Sequence, residues 1–437
     1  MRTRRDQLHS GWKSVFIGLF AVCFLAIASS ESRIVYAQAS PALKATLNEK
    51  IRALALLRKA GCYTDAYEKC LEIDNYTERV WGARSLQSAT AKHFLGRALW
   101  EAGRFEQSAE LYQKAYDLRL QYLGPGHKDT ISTMLGLAES RMSNYEIGKA
   151  ENILKEANRI FLVKGNGDSP QFFKLMILRA KALDEQDQNE KALSLLAETL
   201  STLLKTADFY GEEWVLAMQA MGEVLIQMGR TEDAELALLA AEDIAERLGG
   251  SLHPYLTETL ALLAWIHCKE NRLAQTRRFA VRLESLAESK LGPDHYMAGW
   301  AQYWLGTVHM RRGELETGER YLRAALARLA ELPTKGGAFR RYAVGMIAEA
   351  DEERNDFEEA EKGWLSLLPM IQKTRATQKQ KELAYALSHL IRVYKKLGRP
   401  GEAAKYEKRL EAIEARSQSL KDTTDQSRPQ ERPVTPH

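Results

Sequence analysis

The chain has 437 residues, 45% of them hydrophobic and 27% charged, with a formal net charge of +4. That is enough for a folded protein well beyond one small core and excludes a disordered or collagen-like chain. Four cysteines in so long a chain exclude a disulfide-built scaffold. At the amino terminus Arg2, Arg4, Arg5 and Lys13 precede the apolar run VFIGLFAVCFLAIA, from Val15 to Ala28. A basic segment followed by such a run has the form of a secretory signal. It falls short of the roughly 20 residues needed to span a bilayer. Cleavage is expected after Ala39, in Ala37-Gln38-Ala39, or after Ala28; an uncleaved anchor is the alternative. Cys23 lies inside the run, so lipid attachment is not expected.

Residues 1–39 supply +3 of the formal charge, and the remainder is close to neutral. The basicity belongs to the export signal, which removes the main support for nucleic-acid binding. Cys62, Cys70 and Cys268 remain, and unpaired thiols are expected. Cys62 and Cys70 would stand about 12 Å apart along a helix, too far for a bridge.

Past a spacer over residues 40–46, turn residues recur with a period of 42. The segment LGPGH at 123–127 returns as LGPDH at 291–295, four periods later, with breakers near 82, 166, 210, 250 and 334 between and around them. A second series lies half a unit away, at Gly61, Gly103, Asp187, Gly229, Asn271, Gly313 and Asn355, with 143–145 and 398–400 shifted by a residue or two. Gly and Asn there suit the left-handed backbone that ends a helix. Between turns the apolar period is helical: Phe94, Leu95, Ala98 and Leu99 share one face, and Leu111, Tyr112, Ala115 and Leu118 share another. Each unit is therefore two antiparallel helices, the second longer than the first. Gly96, Ala138, Ala180, Gly222, Ala264, Gly306 and Ala348 form a column of small repeat-packing residues. Ser108, Ala150, Ala192, Ala234, Thr276, Gly318 and Ala360 form a second. Small side chains let helices approach closely.

These features resemble the tetratricopeptide repeat (TPR). Leu95-Gly96 with Leu99, Ser108, Tyr112 and Ala115 follows its pattern, as do Met221-Gly222 with Leu225, Ala234, Leu238 and Ala241, and Leu305-Gly306 with Gly318, Leu322 and Ala325. The usual period is 34; the longer unit is similar to that of kinesin light chains. HEAT and armadillo units also have periods near 42, but the small-residue columns and Gly-Arg turns favour the tetratricopeptide pattern. The resemblance implies an all-α, right-handed alpha-alpha superhelix, a solenoid of about nine two-helix repeats over residues 47–415. A disordered polar tail over 416–437 is expected to follow.

Catalytic motifs are missing from the sequence: there is no phosphate loop, no Gly-x-Ser-x-Gly elbow and no His-Glu-x-x-His. His127, His253 and His295 recur in the loop series, yet they belong to different units, His127 and His295 four units apart, whereas a zinc site needs ligands about 2 Å from one ion. No catalytic residue, metal or cofactor is expected. The resemblance implies a concave face lined by the first helix of each unit, where His93, Arg97, Trp100, Trp265, Lys269, Tyr303, Thr307 and Arg311 are the expected binding residues, with Glu139 and Met142 at the same phase. Trp304 and Trp364 fall on inward positions. The expected function is an exported scaffold, periplasmic or secreted in a bacterium, that binds a protein or peptide without catalysis. Self-association in an envelope complex is the alternative, and a glycan-binding or enzymatic role the least supported. Membrane contact is expected only through a retained N-terminal segment.

Overall fold

The computed structural model describes residues 41–59, 62–164, 169–205, 211–249, 255–292, 295–330, 337–372 and 376–426. The N-terminal signal, the loop carrying His253 and the end of the chain lie outside them. The described residues are all-α, in nine helix pairs: α1 and α2 (Pro41–Lys59, Tyr63–Trp81), α3 and α4 (Leu86–Glu101, Phe105–Leu123), α5 and α6 (Lys128–Ser143, Ile147–Lys164), α7 and α8 (Pro170–Asp184, Asn189–Lys205), and α9 and α10 (Glu212–Gln227, Thr231–Gly249). Next come α11 and α12 (Leu256–Lys269, Leu273–Leu286), α13 and α14 (Tyr296–Arg311, Leu315–Leu329), α15 and α16 (Gly337–Glu353, Phe357–Ile371), and α17 and α18 (Ala376–Lys396, Pro400–Gln426). They divide into two compact units, the first ending at Ala298 and the second beginning at Gly299. This is an α-solenoid of helix pairs. No helix among the described residues is long and apolar enough to cross a membrane.

The two loop series close the helices in two different ways. Within a pair, the chain leaves the first helix through a left-handed residue, at Gly103, Tyr145, Asp187, Gly229, Asn271, Gly313 and Asn355, with φ between 57° and 78°. The next N–H then reaches back five residues, as Arg104 N does to Leu99 O at 2.8 Å and Arg272 N to His267 O at 2.8 Å, which satisfies an end carbonyl. Tyr145 corrects the expected shift at 143–145: it stands on the 42-residue grid itself, and Asn144 does not take the left-handed position. Between pairs, Gly82, Gly124 and Gly292 turn with φ of 86°, 78° and 97°. Three residues after each glycine comes a side chain that caps the next helix. Ser85 Oγ accepts from Ser88 N at 3.1 Å, His127 Nδ1 from Asp129 N at 3.2 Å and His295 Nδ1 from Met297 N at 3.2 Å. Ser169 does the same for Phe172 N at 3.2 Å. His127 and His295 are thus N-caps, each meeting one of the open N–H groups of a helix start.

Small residues set how closely helices pack. Gly96, Gly222 and Gly306 are buried, and Ala138, Ala180, Ala264 and Ala348 are fully so. A Cβ on Gly222 would lie 2.7 Å from Leu238 Cγ, and one on Gly306 2.8 Å from Leu322 Cγ. Tyr112 shows how one repeat locks to the next: its ring would meet a Cβ on Gly96 at 3.2 Å and one on Gly136 at 2.5 Å. Contacts that close leave no room for a methyl group without moving backbone or ring. Trp304 and Trp364 are buried, and Trp364 Nε1 donates to Glu352 at 2.7 Å. Cys62, Cys70 and Cys268 are not bridged to one another, and burial pushes the Cys70 thiol up to about 12.

Three boundaries differ from expectation. Helix α1 begins at Pro41, within the expected spacer, since proline suits the first turn of a helix where its missing N–H costs nothing. Helix α18 continues to Gln426, into the expected tail: no Gly or Pro between residues 402 and 428 interrupts a helix already nucleated. The longer second helix holds in α3 and α4, at 16 and 19 residues, but reverses in α13 and α14, at 16 and 15.

Candidate functional site: the inner face of the first unit

Successive first helices of the first unit present equivalent positions to a common inner face. One column, 42 residues apart, is Arg97 on α3, Glu139 on α5, Lys181 on α7 and Glu223 on α9. Its charges alternate in sign. Lys181 Nζ is 3.1 Å from the Glu223 carboxylate, and Glu139 accepts from Lys174 Nζ at 2.6 Å. Arg97 Nε donates to Glu101 at 3.0 Å, and Arg58 also pairs with Glu101. These side chains stay about a fifth to a third exposed, with Arg97 at 30% and Glu139 at 19%.

The far end of the unit reaches back to this column. Arg97 Nη2 donates to Tyr255 Oη at 3.3 Å, across 158 residues, and Tyr255 Oη donates to Glu212 at 2.9 Å. Gln219 Nε2 holds the Tyr255 carbonyl at 2.6 Å. One turn of structure away, His295 Nε2 donates to the Glu101 carbonyl at 2.6 Å, and Tyr296 packs edge-on against Phe105. Because Nδ1 of His295 already accepts from Met297, the proton of the neutral ring must sit on Nε2. The first unit is therefore closed on itself by α3 and the segment around 255 and 295.

Electrostatics follow from this crowding. Burial opposes the charge of Arg97, but Tyr255, Glu101 and Glu212 hold its pKa well above the ordinary value. Burial likewise works against Lys181, and Glu223 with Glu258 raises it. Burial raises Glu139, yet Lys174 brings it below the usual carboxylate range. His93 and His295 go the other way: burial lowers both, His295 to about 4, so each ring is neutral at physiological pH. The inner face is a set of matched, partly exposed ion pairs in a confined space, where charges interact more strongly than in open water.

The residues expected from sequence fall into distinct settings. His93 is buried, with Nδ1 3.2 Å from Thr133 Oγ1 and its ring edge-on to Tyr112. Arg97 lies in the network above. Trp100 is half-buried and donates from Nε1 to Ser143 Oγ at 3.0 Å. Trp265 is half-buried beneath Lys269, whose ammonium stands 5.5 Å from the ring centre, a cation–π contact. In the second unit, Tyr303 is buried against Phe339 and Trp304, and Thr307 Oγ1 donates to the Tyr303 carbonyl at 2.8 Å. Arg311 is exposed at the end of α13. Sequence reasoning missed Lys181, Glu223, Tyr255, Glu212 and Glu101. The 42-residue column through Arg97 and Glu139 was the signal that would have found the first two.

Among the described residues, Glu235, His267 and Glu270 bring potential metal-ligand atoms within 4.8 Å of one another. Arg272 already supplies the positive charge there: it pairs with Glu270, and its Nη2 is 2.6 Å from Glu235. Burial, then Arg272, lowers the pKa of His267.

Comparison with known proteins defines the class. The tetratricopeptide-repeat family model matches residues 87–161. No curated protein matches the chain. Among solved structures, a Rap protein complexed with Competence and Sporulation Factor is similar at 16% identity and a TM-score of 0.57, over 83% of this chain and 96% of that one. The human IFIT1 dimer with PPP-AAAA is similar at 15% identity and 0.48, over 84% and 82%. Kinesin light chain TPR-like repeats of Podosopora anserina are similar at 16% identity and 0.37, over 46% and 96%. The chain has a tetratricopeptide-like repeat fold.

Proposed function

We propose that the protein is an exported interaction module, and that its first unit receives a protein or peptide segment along the inner column of Arg97, Glu139, Lys181 and Glu223. The observation that carries this reading is the alternation of charge on equivalent positions of four successive first helices. A ligand group that takes the place of one partner must match its charge, because charges in this confined face interact more strongly than in open water. Solenoids offer such faces preformed, and half-buried Trp100 and Trp265 would add anchors of the type that dominates binding energy. No catalytic step belongs to this reading. Export rests on the N-terminal segment of residues 1–39, with the mature chain periplasmic or secreted.

A cross-linked pull-down from envelope extract tests the site, run in parallel with wild type and with Arg97→Glu/Lys181→Glu. A stoichiometric partner recovered by wild type and lost from the folded variant supports the inner face. Equal recovery by both removes it. Sequencing the amino terminus of the chain isolated from cells tests export: a start at Ser40 or Ser29 supports cleavage, and a cytoplasmic chain beginning at Met1 defeats it.

A further inference from the structure

The contacts that close the first unit differ in kind from those that hold its repeats. In a solenoid each repeat draws its stability from the neighbours it stacks on. The bonds from His295 to Glu101 and from Arg97 to Tyr255 span 194 and 158 residues, so they are additional to that stacking. Around them, the π turn at Ala287–Leu291 packs on α2, where a Cβ on Gly292 would lie 3.5 Å from Thr64 Oγ1. The Arg97–Tyr255 bond is long, at 3.3 Å. Helices α5 to α8 keep a core of their own, built on Leu135, Leu154 and Leu175, that needs none of these contacts.

His295 is the titratable hinge-pin of this closure, and both of its ring nitrogens are committed. Nδ1 accepts from Met297 N and Nε2 donates to the Glu101 carbonyl, a pattern open only to the neutral ring. A proton on Nδ1 would set its new N–H against the N–H of Met297. The charged group that acts on the ring is Glu101 on α3, and its carboxylate is already shared between Arg58 of α1 and Arg97. The other elements bring uncharged groups: Phe105 from α4, Thr64 from α2 and the Tyr296 ring, centred 4.5 Å away. Tyr63, among the same charges, is kept protonated by burial. Burial therefore outweighs Glu101 and lowers His295 to about 4. Once the closure parts, the ring meets water and regains its ordinary value near 6.5. The open form binds the proton more tightly, so acid favours it, by about 20-fold between pH 7 and pH 5.

We propose that His295 is an acid-sensitive latch: when its ring takes a proton, the segment 291–296 leaves α3 and the first unit opens between Glu101 and Tyr255, with its helix pairs intact. Opening also frees Arg97 from Tyr255. Its use in admitting a ligand rests on the reading of the inner column given above; the opening itself does not.

The test is hydroxyl-radical labelling of the full chain at pH 7 and pH 5, read residue by residue by mass spectrometry. Phe105 and Tyr296 are buried in the closed form, and Met134 and Met176 lie in the separate core of α5 to α8. Labelling of Phe105 and Tyr296 is expected to rise about threefold at pH 5, with Met134, Met176 and helical circular dichroism unchanged. In His295→Gln, which keeps a donor toward Glu101, and in His295→Asn, which keeps the cap, labelling is expected not to change with pH. No rise in the wild type overturns the latch, and so does the same rise in both variants, which would assign it to other groups. A rise that Met134 and Met176 share overturns it too, because the chain would then be unfolding. The pull-down with Arg97→Glu/Lys181→Glu reads a partner whereas this labelling reads the chain alone, so the two proposals fail independently.

Discussion

At residues 123–127 and 291–295 the chain writes nearly the same segment, and locally it uses both copies alike. A glycine turns at positive φ, and three residues on a histidine caps the next helix through Nδ1 at 3.2 Å. Beyond that the copies part. Before the first, α4 ends as a regular helix, with Gly124 N bonded to Leu120 O; before the second, the last turn at Ala287–Leu291 is wound as π, with Gly292 N bonded to Ala287 O. The second histidine is buried, and its other nitrogen donates to the Glu101 carbonyl, 194 residues away in sequence. A repeat can thus keep one local device in every copy and recruit a single copy to close the unit. A π turn at the recruited copy fits the tendency of such bulges to mark functional positions.

The largest expected effect separates the two copies by pH. Burial holds folded His295 neutral down to about 4, while the unfolded ring takes a proton near its ordinary 6.5. As pH falls from 6.5 towards 4 the unfolded state gains a proton that the folded state refuses, so stability drops by about 3 kcal/mol and then levels off. The difference between wild type and His295→Asn, which keeps a cap but cannot titrate, should show this slope in urea unfolding at stepped pH. Parallel curves would place the pH dependence elsewhere, for example at His93, which burial also lowers.

Next in size, at neutral pH, His295→Ala should cost about 2–3 kcal/mol, for it loses the cap and leaves the part-buried Glu101 carbonyl without this donor. His127→Ala, which loses the cap but no contact with Glu101, should cost about 1 kcal/mol. Equal losses in thermal unfolding would break the comparison. The two glycines sharpen it from the other side. Gly124→Ala and Gly292→Ala should cost the same, about 1–2 kcal/mol, because both sit at positive φ and neither Cβ would meet an atom closer than 3.5 Å. The smallest effect has the opposite sign: Tyr145→Gly should stabilise by about 1 kcal/mol by relieving a left-handed tyrosine, read as a rise in Tm.

How much was legible follows from the range of each interaction. Gly103, Gly229 and Gly313, with Asn271 and Asn355, were readable because glycine and asparagine favour the left-handed position and only local backbone bonds hold it. Tyr145 was not, because there the closing bond from Glu146 N to Arg141 O, at 2.8 Å, imposes the conformation on a residue that does not favour it. Trp100 and Trp265 stand out in the sequence as large aromatics, whereas Lys181 and Glu223 are single charges among many on helix surfaces. Their charge alternation appears only when the column is followed through every repeat.

The sequence by itself determined the period, the phase of both turn series, the two columns of small residues and the helix-pair fold. Each is set by residues a few positions apart or by a repeat that states the same requirement many times. Only the tertiary structure decided that Arg97 meets Tyr255 and that His295 rather than His127 reaches Glu101. Those outcomes depend on small angles between successive helix pairs, which add up over the unit, so no single repeat contains the information that fixes where its far end returns.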